Sequence, residues 1–142
     1  MKCVKNCLLT VAFTLAATHS AAQNAEALTL DALLGTWNMT YDMGQGPQTG
    51  TITISRSDDG GPRIAMSTTG GGSSEARAIS IAGDTITYVR DVSAQGQSIT
   101  VNYSARLIDG KLEGSFELDL GALAGAAAGL GGPTAWTATM AR

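Results

Sequence analysis

Gly35-Thr36-Trp37-Asn38-Met39-Thr40-Tyr41-Asp42-Met43 alternates polar and apolar residues without a break. Trp37, Met39, Tyr41 and Met43 share one parity, and Thr36, Asn38, Thr40 and Asp42 share the other. Successive side chains of a strand point to opposite faces, so this stretch is a strand with one buried face. The signature recurs seven more times before Arg142. Ile52 and Ile54 carry it next, then Ile64 and Met66, then Ile79 and Ile81. Ile86, Tyr88, Arg90 and Val92 follow on one face of a fifth run. The sixth is the clearest, with Ile99, Val101, Tyr103, Ala105 and Leu107 set against Thr100, Asn102, Ser104 and Arg106. Leu112, Phe116, Leu118 and Leu120 define the seventh, and Trp136, Ala138 and Met140 the eighth.

Turn residues punctuate these runs. Asp58-Asp59-Gly60-Gly61, Gly83-Asp84 and Asp109-Gly110 are hairpin signals, because Asp and Gly tolerate positive φ. Ser93 to Gln97 is a further turn, and Gly70 to Ser74 reads as a loop. The spacing is that of an all-β barrel or sandwich, in which one antiparallel sheet rolls up around its apolar face.

Residues 1–22 stand apart. Lys2 and Lys5 precede an apolar stretch from Leu8 to Ala17, and Ser20-Ala21-Ala22 places small residues at a cleavage site before Gln23. That is the layout of a cleaved signal peptide, too short for a comfortable membrane span. The expectation is an exported chain, periplasmic or secreted, with no membrane span once mature. Residues 23–34 form a leader in which Ala27 to Leu34 supports a helical turn capped by Thr29. Residues 35–142 form the single domain.

The whole chain has 9 basic and 12 acidic residues; without Lys2 and Lys5 a net charge of −5 remains over residues 23–142. This mildly acidic balance argues against nucleic acid, which needs clustered Lys and Arg. Cys3, Cys7 and His19 are the only residues of their kinds, and all lie within residues 1–22. The mature chain therefore has no disulfide. Ser-His-Asp and Cys-His chemistry and N- or S-ligated zinc are excluded. No cofactor, no metal and no enzymatic activity are expected. Glu113, Glu117 and Asp119 share the polar face of one strand, the pattern of a solvated row.

Gly35-Thr36-Trp37 after a short apolar turn resembles the opening Gly-x-Trp of lipocalins and their calycin relatives, and is similar to the opening of avidin-like barrels. With the closing Trp136-Thr137-Ala138-Thr139-Met140-Ala141-Arg142, the stretch from Gly35 to Arg142 resembles the small lipocalin-like domains of exported bacterial proteins. The resemblance implies an antiparallel, up-and-down, eight-stranded barrel. It also implies structural roles for Gly35, Trp37, Trp136 and Arg142, with Trp37 at the closed end and Arg142 lying across its indole face.

The function then depends on the interior. Trp37, Tyr41, Tyr88, Tyr103, Phe116 and Trp136 face inward with Met39, Met43, Met66 and Met140. Either they fill the barrel or they line an apolar cavity. In the second case Met39, Tyr41, Met66, Tyr88, Arg90, Tyr103 and Phe116 are the candidate ligand contacts. Arg90 then lies at the rim or anchors an acidic ligand. The leading expectation is a binding protein for a small apolar or amphipathic molecule. The alternative is an interaction or inhibitor module with a packed barrel and a protein partner, reached through residues 23–34. The apolar segment from Gly121 to Gly132 reads as a slack loop or as a flap over the barrel mouth.

Overall fold

The computed structural model describes residues 27–70, 72–94, 96–121 and 132–142. The signal segment and the apolar segment's residues 122–131 lie outside the described residues.

A short helix, α1 (Leu30–Leu33), precedes eight strands: β1 (Gly35–Asp42), β2 (Pro47–Arg56), β3 (Pro62–Thr68), β4 (Gly72–Ala82), β5 (Thr85–Ala94), β6 (Gln97–Ile108), β7 (Lys111–Asp119) and β8 (Thr134–Met140). Each strand pairs antiparallel with its sequence neighbours, and β1 pairs with β8 to close the barrel. This is the up-and-down, eight-stranded architecture expected of a lipocalin- or avidin-like chain. Closure removes the sheet edges that would otherwise invite aggregation.

The alternation read from the sequence sets which parity faces inward. Trp37, Ile52, Ile64, Ile86, Val101, Leu112 and Trp136 are buried, while Asn38, Thr53, Arg63, Thr87, Asn102, Glu113 and Thr137 are exposed. Apolar side chains point in and polar ones out, the reverse of a lipid-facing barrel. No helix among the described residues is long and apolar enough to cross a membrane. Exposed ion pairs lace the outer surface, including Arg77–Asp91 and Arg106–Asp84.

The two ends differ. At the lower end, Thr29 caps α1 by accepting from the Ala32 amide at 3.4 Å, and Leu33 is fully buried beneath the barrel. The Leu28 amide donates to the Gly83 carbonyl at 2.7 Å, and Arg56 pairs with Asp31. The leader therefore crosses from the β2–β3 turn to the β4–β5 turn. It crosses where the wall is thinnest, since β3 and β4 pair only from Ala65 to Thr68 against Gly72 to Glu75. Gly35 has φ +133, a conformation that L side chains rarely adopt, which accounts for the glycine that opens β1. At Asp109-Gly110 both residues have positive φ (50° and 75°), as the tight β6–β7 hairpin requires.

Several expectations need correction. Gly72 to Ser74 belong to β4 rather than to a loop, β2 begins at Pro47, and β7 ends at Asp119, short of Leu120. β4 also bends: its register slips between Arg77 and Ser80, with Ala78 at φ 50°. Met140 is not part of the core and is 47% exposed. Leu33 and Trp37 already fill the interior at that level, and the end of the Met140 side chain lies beside Gly35 at the lower rim. Arg142 follows β8 and is exposed, and among the described residues no cation–π contact covers Trp37. The indole Nε1 of Trp37 instead donates to the Leu33 carbonyl at 2.9 Å. The lower end is closed by the leader, not by a C-terminal arginine.

Candidate ligand cavity

Side-chain size divides the barrel into a packed lower half and an open upper half. In the lower half Trp37, Ile52, Ile54, Ile64, Met66, Ile86, Leu112 and Ala138 form a continuous buried cluster. At mid-height an aromatic layer crosses the interior. Tyr103 stacks on Tyr88 (centroids 4.8 Å apart, planes at 9°). It meets Phe116 at 5.5 Å and the edge of Trp136 at 6.4 Å. Phe116 in turn meets Tyr41 edge-on at 5.6 Å. Register produces this layer, because Tyr88, Tyr103 and Phe116 are direct cross-strand partners on β5, β6 and β7. Gly114 lets β7 approach β6 beside this layer. A Cβ at Gly114 would collide with the Ser104 carbonyl and stand 2.9 Å from the Ala105 Cα, so β7 comes unusually close to β6 opposite Trp136.

Above this layer lies a cavity of about 370 Å³, within the roughly 300–1,000 Å³ usual for small-molecule sites. Its walls are mostly apolar, from Met39, Met43, Val92, Ile99, Val101, Phe116, Leu118 and Leu120. Tyr41, Gln48, Thr68, Arg90 and Tyr103 supply a polar side. Gln45, Thr69 and Gly70 border the mouth at the upper turns.

Arg90 is the central polar residue. It is 0% exposed and stands on β5 below the mouth. Its Nε donates to Ser74 Oγ at 2.5 Å, Nη1 to Thr68 Oγ1 at 3.2 Å and Nη2 to the Gly72 carbonyl at 2.7 Å. Its charge also acts on the Tyr103 hydroxyl. A buried guanidinium is tolerated only when its donors are used in this way. The network ties the β3–β4 hairpin to β5. The Tyr41 hydroxyl donates to Gln48 Oε1 at 3.2 Å. Burial pushes the Tyr103 hydroxyl pKa up, and Arg90 only partly offsets it. Burial likewise raises that of Tyr88 well above the ordinary tyrosine value. Both phenols keep their protons at neutral pH. Within the aromatic layer, the Tyr88 hydroxyl and Trp136 Nε1 are buried with no hydrogen-bond partner among the described residues.

Of the seven residues singled out from sequence, Met39, Tyr41, Arg90, Tyr103 and Phe116 line the cavity. Met66 and Tyr88 do not; Met66 lies in the packed half and Tyr88 within the aromatic layer. Arg90 is wholly buried and lies below the rim. The sequence reading missed Gln48 and Thr68. Both were legible by extending the inward parity of β2 back from Ile52 and of β3 forward from Met66. Among the described residues no three His, Cys, Asp or Glu side chains converge as a metal-holding group.

The fold and the site together define a closed up-and-down barrel with one plugged end and a cavity below the other. No family model and no curated protein sequence matches the chain. Among solved structures it is similar to a crystal structure of a mutant of the fluorescent protein UnaG. The TM-score is 0.48 at 14% identity, over 80% of this chain and 99% of that one. The likeness extends no further than chain path.

Proposed function

We propose that this chain is an exported, non-enzymatic binding protein that holds one small apolar or amphipathic molecule in the upper half of its barrel. The observation that carries this reading is the cavity itself. Small eight-stranded barrels are often filled by their own side chains, and the described residues fill this one only to mid-height. Its apolar wall would bury a hydrocarbon body, at roughly 25 cal/mol for each Å² removed from water. Its methionines would adapt to the body's shape, and its polar side would orient the molecule.

Export to the periplasm or beyond is supported by residues 1–22. The absence of His and Cys from residues 23–142 supports a role without nucleophilic or metal chemistry. The competing role, a packed scaffold that engages a protein through its leader, is weakened by the same geometry. Leu28 and Leu33 are docked against the lower end, and the barrel is not packed throughout.

Native mass spectrometry of the chain from Gln23 onward, purified from a bacterial periplasm, tests the proposal. The expected result is a bound species of a few hundred daltons that is lost on denaturation. A clean apo mass, together with no binding of any apolar probe, would contradict it.

A further inference from the structure

We propose that the cavity selects molecules with an anionic, hydrogen-bond-accepting head, a carboxylate foremost, seated between Tyr103 and Gln48 beside Arg90. The inference rests on the cavity's being a ligand site and adds the chemical class of the ligand.

Hydrogen-bond accounting on the polar side leads there. Gln48 Oε1 accepts from the Tyr41 hydroxyl, which orients the amide and leaves its nitrogen, a donor only, to meet a ligand. Tyr41 has used its own proton in that bond. Tyr103 lines the same cavity, and its hydroxyl has a proton to donate. Burial keeps that proton in place at neutral pH. The Arg90 charge acts on the hydroxyl, which strengthens it as a donor. Two donors and a fixed cation therefore face one cavity, Gln48 from β2, Arg90 from β5 and Tyr103 from β6.

Among the described residues no Asp or Glu lines the cavity. An incoming anion meets no like charge there, whereas an incoming ammonium would meet Arg90 at close range in a weakly screened interior. A neutral alcohol could use the donors but would gain little from the cation. Nearer the mouth along β5, β6 and β7, Val92, Ile99 and Leu118 suit the remainder of an amphipathic acid.

The test compares three ligands with one chain and different heads: decanoate, decanol and decylamine. Each is titrated at neutral pH by displacement of an uncharged solvatochromic probe. Decanoate is expected to bind about tenfold or more tighter than decanol, as charge-assisted hydrogen bonds imply, with decylamine weakest. Tyr103→Phe and Gln48→Leu keep the local packing and remove one donor each. Each should weaken decanoate more than decanol and so reduce the acid-to-alcohol ratio severalfold. Arg90→Met should abolish the ratio; because Arg90 also ties the wall together, the two milder variants keep the test decisive if it fails to fold. Equal binding of acid and alcohol would overturn the head preference and leave the cavity reading standing. A ratio unmoved in both donor variants would overturn the assigned seat. Failure of all three ligands and the probe to bind would overturn the cavity reading and this inference together.

Discussion

The indole nitrogen of Trp37 donates to the carbonyl oxygen of Leu33, 2.9 Å away, and both side chains are almost wholly buried at the closed end of the barrel. One hydrogen bond thus joins the first strand to the helical turn that plugs the lower end. Trp37→Ala would leave a large cavity and deprive the Leu33 carbonyl of its donor. It should cost about 3–5 kcal/mol in denaturant unfolding. A cost under about 1 kcal/mol would mean that Trp37 is not a core residue.

Gly114 is a requirement of space. Any side chain there meets the backbone of Ser104 and Ala105 rather than a flexible group that could give way. Gly114→Ala should destabilise by about 1–3 kcal/mol, with a lower Tm as the readout. An unchanged Tm would show that β6 and β7 are not so closely packed opposite Trp136.

Tyr88 offers a contrasting case. Its ring stacks on Tyr103, but its buried hydroxyl has no partner among the described residues. Tyr88→Phe retains the stacking and removes a desolvated polar group, so it should be neutral or slightly stabilising, within about 0.5 kcal/mol of wild type. A loss above about 1.5 kcal/mol would reveal a partner for that hydroxyl.

Asp91 governs part of the acid limb of stability. Hydrogen bonds from Arg77 and then Thr100 hold its carboxyl at about 2, below the ordinary 3.8. The group binds its proton more readily when unfolded, so its contribution is present above about pH 4 and fades as the pH falls towards 2. Wild-type Tm should therefore fall more steeply than that of Asp91→Asn across this window. Because the pair is exposed, the difference should shrink in molar salt. Parallel Tm curves would contradict the assignment.

The barrel was legible because alternation has a period of two and survives as long as one face is buried. Trp37 to Met43 and Ile99 to Leu107 read directly as strands for that reason. Where parity and burial part company, the sequence misleads. Met140 keeps inward parity but sits at the rim, and β4 slips its register at Ala78. Arg90 was assigned to the inward face, yet nothing local in the sequence could show that Ser74, Thr68 and Gly72, which lie 16, 22 and 18 residues away, would meet its donors. The cavity floor was also invisible, because it depends on cross-strand register that places Tyr88, Tyr103 and Phe116 at one height. Gln48 was missed because the apolar alternation of the second run shows only at Ile52 and Ile54, whereas β2 begins at Pro47, and proline is tolerated at the first position of a strand.

The central claim is that the upper half of the barrel holds a ligand. It is tested most directly by titrating an uncharged solvatochromic probe into the wild type and into Leu118→Trp. Leu118 lines the cavity and is only half-buried, so an indole there would fill the space without overpacking the core. Saturable one-to-one binding by the wild type, lost in the folded Leu118→Trp variant, is the predicted result. No saturable binding by the wild type, or binding that survives the substitution, would contradict it.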